Sequence, residues 1–176
     1  MPDLFDGKSL QSDRTRRSLQ YRVRQVVHGF CLSAKLWKLS CIAYRRGWHP
    51  VAWALKLVNF IAFKAILPYE CDIEDDLMLE HQGVGCAFSH TVTIGKRVKI
   101  GHHAALAAQN SRIVVEDDVT IGMHVCILGS DLGGIRKIGR GATIGAGAVV
   151  MTDVAAGATV LATPARTVRV TEPVMS

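Results

Sequence analysis

A six-residue rhythm from Ile73 to about Leu161 limits what this chain can fold into: an aliphatic side chain opens each unit, and a small or acidic residue usually follows. In steps of six the openers are Ile73 and Leu79, then Phe88, Ile94, Ile100 and Leu106, then Val115, Ile121 and Ile127, then Ile138, Ile144, Val150 and a weaker Ala156. Four places after most openers stands a second small or aliphatic residue, as at Val92, Val98, Ala104, Val119, Val125, Ala142 and Ala148. Gly83, Asn110 and Asp131 break this rule, and each lies where the register slips. Openers 79 to 88, 106 to 115 and 127 to 138 are nine, nine and eleven residues apart instead of six.

Ordinary strands alternate with period two. A sustained period of six marks a solenoid, a parallel β-helix in which each unit is one short flat strand plus a turn. The slips then read as loops extruded from the coil, and insertions of this kind commonly build a binding face. The expected fold class is mainly β, a parallel β-helix of hexapeptide repeats with an N-terminal α-helical region.

The division falls near Pro68. Residues 1–66 carry 12 Lys and Arg against 3 Asp and Glu, whereas residues 67–176 carry 9 against 12, so the net charge of +6 belongs to the N-terminal part. We therefore expect a helical region over 1–67, a coil over 68–166 and a tail over 167–176. Stretches 18–46 and 50–67 lack internal Pro and repeat apolar residues at helical spacing, as in Val51, Leu55, Val58, Ile61, Phe63 and Ile66. Lys56 and Lys64 interrupt the second stretch, which is too short to span a membrane. A basic region bearing Trp37, Trp48 and Trp53 is compatible with peripheral contact on an anionic membrane. The general rule that an apolar helix stripe faces a core favours packing on the coil or on neighbouring subunits. No recognition motif for nucleic acid accompanies the basic residues, so nucleic acid is not an expected partner.

Asp3, Asp6 and Asp13 interrupt any apolar run at the N-terminus, which therefore does not read as a signal peptide. Five cysteines without CxxC spacing read as reduced, small hydrophobes, and the expected compartment is cytoplasmic. Metal binding is conceivable for His102 and His103, but adjacent side chains on a strand point to opposite faces, so the expectation is no metal.

The run IGRGATIGAGAVVMTDVAAGATVLATPARTV and the earlier LEHQGVGCAFSHTVTIGKRVKIG resemble the hexapeptide acyltransferases, and within them the short serine acetyltransferases. The resemblance covers about residues 44 to 169, and its most specific pieces are IGAGAVV, the segment TPAR at 163–166 and the triplet Leu79, Glu80, His81. It implies a left-handed β-helix, a homotrimer with sites between adjacent subunits, and acetyl-CoA as co-substrate. The handedness comes from the family, since right-handed crossovers are the general rule.

Carried over residue by residue, the resemblance makes His81 the catalytic base and Glu80 the acid beside it, which would bind the amino group of a serine-like acceptor. Histidine suits the task, because its pKa lies near neutrality. His90, His102, His103 and His124 are the alternative bases. The family's Asp, one coil before the catalytic His, corresponds to Ile66 here, with Glu70 or Asp72 as substitutes. Its carboxylate-gripping Arg-His pair meets Gly134 and Ile135, with Arg136 one place later. Asp72, His90 and Arg136 are therefore the substrate-side candidates.

On the cofactor side, Ala146, Gly147 and Ala148 would let a pantetheine arm lie against backbone, with Thr163 and Arg166 nearby and the Arg166 guanidinium facing a phosphate. Tight coil packing also explains the small residues. The function expected is transfer of acetyl from acetyl-CoA to the hydroxyl of serine or a serine-like small molecule. The alternatives are a sugar or secondary-metabolite hydroxyl or amine as acceptor, or a noncatalytic trimeric scaffold.

Overall fold

The computed structural model describes residues 31–74, 76–130 and 132–164. The repeats form a three-faced parallel β-helix of about four turns. The first face stacks β1 (Asp72–Ile73), β4 (Val92–Ile94), β7 (Arg112–Val115) and β10 (Ile135–Ile138). The second stacks β2 (Met78–Leu79), β5 (Lys99–Ile100), β8 (Thr120–Ile121), β11 (Thr143–Ile144) and β13 (Thr159–Val160). The third stacks β3 (Ala87–Phe88), β6 (Ala105–Ala107), β9 (Cys126–Leu128) and β12 (Val149–Val150).

Strands of two to four residues persist because each opener points inward onto the opener of the next coil. Ile73 pairs with Ile94, Leu79 with Ile100 and Phe88 with Leu106. Ile94, Ile100, Leu106, Ile121, Ile127, Ile138 and Ile144 are fully buried. Burying a side chain of this size stabilises by roughly 1.5–3 kcal/mol. The second small residue of each unit turns the corner inward, as at Val98, Ala104, Val119 and Ala142, all of them buried.

The column departs from the sequence reading at both ends. Ile66 bridges to Ala87, which places buried Leu67 below Phe88 as an opener six residues before Ile73. At the other end Ala156 is exposed and is not an opener. Val154 instead bridges to Ile138, and Val160 pairs with Ile144. The last coil takes 16 residues (138 to 154) where the first takes 21 (73 to 94).

Two helices cap the first coil, α1 (Leu32–Arg45) and α2 (His49–Phe63). Of the first helical stretch expected, residues 18–30 lie outside the described residues. Pro50 sits in the first turn of α2, where its missing N–H leaves no bond unmade, and Lys64 ends the helix with φ of 54°. Trp37 is fully buried, donates its indole N–H to the Pro68 carbonyl at 2.7 Å and lies 5.4 Å from the Phe88 ring. The Asn59 side-chain amide donates to the Ser33 carbonyl at 3.1 Å, joining α2 to α1.

The buried side of α2 is not the stripe expected from sequence. Ala52 and Asn59 are buried, whereas Val51, Val58 and Ile61 are exposed together with Trp48, Trp53, Leu57 and Phe60. A small and a polar residue face α1 because they allow close helix approach and a hydrogen bond. No helix among the described residues is long and apolar enough to cross a membrane.

Candidate active site

Each corner of the prism is a short turn, and several turns hold a residue in the left-handed backbone region. The corner between the second and third faces carries His81, His103, His124 and Gly147 with φ of 51°, 56°, 55° and 70°. Stacked coils bring these residues into one column. Leu79 and Ile100 lie 21 residues apart, as do Ile100 and Ile121 (100 − 79 and 121 − 100). The same interval separates His81 from His102 and His103 from His124.

Four imidazoles meet there. The His81 and His102 ring centres are 5.0 Å apart, those of His102 and His103 are 5.3 Å apart, and His102 and His124 are separated by 5.6 Å. The His103 and His124 rings stack at 4.9 Å with an interplanar angle of 12°. His102 and His103 lie on a turn and not on a strand, so they do not diverge as a strand pair would. Partial burial, reinforced by the imidazoles of His81, His103 and His124, holds the His102 pKa below its ordinary value against an opposing pull from Glu80. Its Nδ1 is buried without a hydrogen-bond partner.

His81 sits on the first inserted loop, a 3₁₀ turn over Glu80–Gly83 in which Gln82 also has a positive φ, of 60°. Two consecutive side-chain-bearing residues in this region are strained, and such strain persists where the surroundings over-determine it. Here α1 does so. The Cys31 thiol donates to the Leu79 carbonyl at 3.4 Å, and the Ser33 backbone N–H donates to Gln82 Oε1 at 3.2 Å. A side chain at Gly83 would press on Leu79 at 2.9 Å. Glu80 is exposed at the start of the same turn.

Of the residues expected on the cofactor side, Ala146, Gly147, Ala148 and Thr163 share this corner. Ala146 and Gly147 are exposed above His124, Ala148 is buried, and the Gly147 N–H donates to the Met123 carbonyl at 2.9 Å. A side chain at Gly122 would lie 2.7 Å from the Ala146 nitrogen, so the two coils touch through backbone. Continuing the Ile144 to Val160 register by three residues places exposed Thr163 beside Gly147. Arg166 lies outside the described residues.

The residues expected on the substrate side sit elsewhere. Asp72, on β1 of the first face, is ion-paired with Arg45 at 2.5 Å. Arg136, on β10, donates to the Leu128 carbonyl at 3.0 Å and pairs with Asp153 at 3.1 Å. His90 is exposed on the turn between β3 and β4. An open groove of about 370 Å³, lined by Asp72, Glu74, Glu116, Asp117 and Arg140 among others, runs along the first face, and none of the four imidazoles lines it. The gathering of His102, His103 and His124 around His81 was readable as the 21-residue interval, which equals one coil.

No protein-family model matches the chain. Among curated proteins it resembles enzymes of Staphylococcus aureus named 2,3,4,5-tetrahydropyridine-2,6-dicarboxylate N-acetyltransferase. One is 43% identical over 82 residues, which are 44% of this chain and 32% of the relative. The chain thus spans about a third of the length of these relatives. Among solved structures it is similar to Neisseria gonorrhoeae serine acetyltransferase in complex with serine, with 27% identity and a TM-score of 0.67, over 77% of this chain and 55% of that one. Soybean serine acetyltransferase complexed with serine gives 29% identity and a TM-score of 0.67 over the same shares. Both likenesses fall within the hexapeptide-repeat acyltransferases, the resemblance that the repeats carry.

Proposed function

We propose that this chain is an acetyl-CoA-dependent acetyltransferase whose reaction takes place along the histidine corner. The observation that carries the reading is the placement of His81, on its strained loop, in the same column of turns as Ala146, Gly147 and Thr163. In this mechanism His81 removes the proton from an acceptor hydroxyl as its oxygen attacks the thioester carbonyl. A backbone N–H or side-chain donor at the corner holds the oxyanion. As the tetrahedral intermediate collapses, the C–S bond breaks and His81 returns the proton to the leaving thiolate. No covalent enzyme intermediate forms. Exposed Ala146 and Gly147 let the pantetheine arm lie against backbone, and Arg166 meets a phosphate of the nucleotide end.

Serine or a serine-like small molecule is the first acceptor in this reading, supported by the likeness to serine acetyltransferases and by Glu80 beside His81. A second reading, an amine or a sugar hydroxyl as acceptor, is favoured by the engagement of Arg136 with Leu128 and Asp153 and by the names of the sequence relatives. The same proposal includes a cytoplasmic homotrimer with sites between subunits. It also includes peripheral contact of α1 and α2 with an anionic membrane surface, since no acidic residue lies between Cys31 and Lys64 while Trp53, Phe60 and Ile61 are exposed.

The test is release of free CoA from acetyl-CoA, followed with a thiol reagent, offering L-serine and then a panel of amino acids, diamines and sugars. Turnover with serine supports the first acceptor, and turnover with another acceptor alone moves the assignment to the second reading. No turnover with any acceptor although acetyl-CoA binds counts against the transferase reading and leaves a scaffold or an acceptor outside the panel.

A further inference from the structure

The histidine corner holds more imidazoles than one acid-base step needs. The nearest ring nitrogens of His102, His103 and His124 all lie within 4.8 Å of one another. Three imidazole nitrogens bound at 2.0–2.1 Å to one tetrahedral ion would lie about 3.4 Å apart. The difference is within reach of side-chain rotation, because His103 and His124 are exposed.

Three features of the chain hold these rings together. The His124 N–H donates to the His102 carbonyl at 3.1 Å and the His103 N–H to the Val84 carbonyl at 2.8 Å, which fixes the three backbones across adjacent coils. The His103 ring rests on Gly85, where a Cβ would come within 2.4 Å of its Cδ2 atom. The buried Nδ1 of His102 has no protein partner, although a buried polar atom is ordinarily paired. A cation held among the three rings would give the His102 ring a partner.

We propose that His102, His103 and His124 bind a borderline divalent transition-metal ion of the zinc class. The donor set decides the class. Three neutral imidazoles with no carboxylate among them suit zinc, copper or nickel and do not suit magnesium or calcium, which take oxygen ligands. Three protein ligands leave the fourth tetrahedral position to water. The inference stands apart from the transferase reading, because it concerns occupancy and not turnover.

The experiment uses the full chain without a histidine tag, stripped with chelator and then dialysed against zinc chloride. We expect saturable uptake of one zinc per chain, weakened at least tenfold when His103→Ala and His124→Ala are combined and unchanged in His49→Ala, which lies on α2 away from the corner. Cobalt offered to the unmodified chain gives a second readout that needs no variant, the visible absorption of a tetrahedral nitrogen-ligated ion. Absence of saturable zinc uptake, uptake unchanged by the double substitution, or cobalt spectra indistinguishable from the aqueous ion would each overturn the proposal.

Discussion

Two corners of the same prism are built from the same turn and are finished in opposite ways. At the corner between the first and second faces, Arg97 and Asp118 take the left-handed positions of successive coils and pair through two hydrogen bonds of 2.6 and 2.8 Å. Arg140 meets Asp117 at 3.0 Å, Lys137 meets Glu116 at 2.8 Å, and Glu116 accepts the Arg140 backbone N–H at 2.7 Å. Charges of opposite sign thus staple coil to coil. At the corner between the second and third faces, the equivalent positions hold His103 and His124 beside His81 and His102, with ring contacts and a buried unpaired nitrogen in place of ion pairs. The repeat supplies a scaffold that tolerates either finish. One corner uses it for cohesion, and the other gathers four imidazoles.

The largest effect comes from the column beneath both corners. Ile121→Asp places an unpaired carboxylate among fully buried aliphatic side chains and should destabilise the coil by about 4 kcal/mol or more. Circular dichroism on heating should show a melting point far below that of the parent. A variant that melts with the parent would show that the column, and with it the stacking of both corners, is misassigned.

A smaller effect separates the corners by pH. The His102 pKa is depressed in the folded chain, so the unfolded chain takes up this proton first, and stability should decline as pH falls below about 6.5. Glu116 and Asp118 are held below the usual carboxylate range by their bonds to Lys137 and Arg97, so their contribution is present at neutral pH and is lost as pH falls below about 4. Urea midpoints measured from pH 8 to 3 with chelator present should fall in these two windows, and His102→Ala should flatten the upper one alone. A midpoint that stays level from pH 7 to 5 would contradict the His102 assignment.

The smallest effect is expected at the stapled corner. Asp118→Asn removes one exposed ion pair and should lower the melting temperature by about 1–2 °C at low salt and by less at high salt. A loss of ten degrees would mean that this corner organises the fold and does not merely tie adjacent coils.

The coil was legible in the sequence because its interior admits only one kind of residue at one interval, and Ile94, Ile100 and Leu106 report that interval directly. Its ends were less legible. Leu67 precedes Pro68 and reads as the close of the helical stretch, and the shortened last coil turns Val154 into an opener at the expense of Ala156. The histidine corner was half legible. Triplet Leu79, Glu80, His81 is a local motif, whereas the meeting of His102, His103 and His124 depends on coil length and on His103 adopting a turn conformation instead of a strand. The face of α2 was not legible, because its apolar residues surround the helix and only the partners of Ala52 and Asn59 select the buried side.

One corner is proposed to react and the other only to hold. The direct measurement is the rate of CoA release from acetyl-CoA, with the best acceptor of the panel, in the parent chain, His81→Ala and Asp118→Asn. The prediction is a loss on the order of a hundredfold in His81→Ala, with its melting point kept, and an unchanged rate in Asp118→Asn. Full activity in His81→Ala would contradict it.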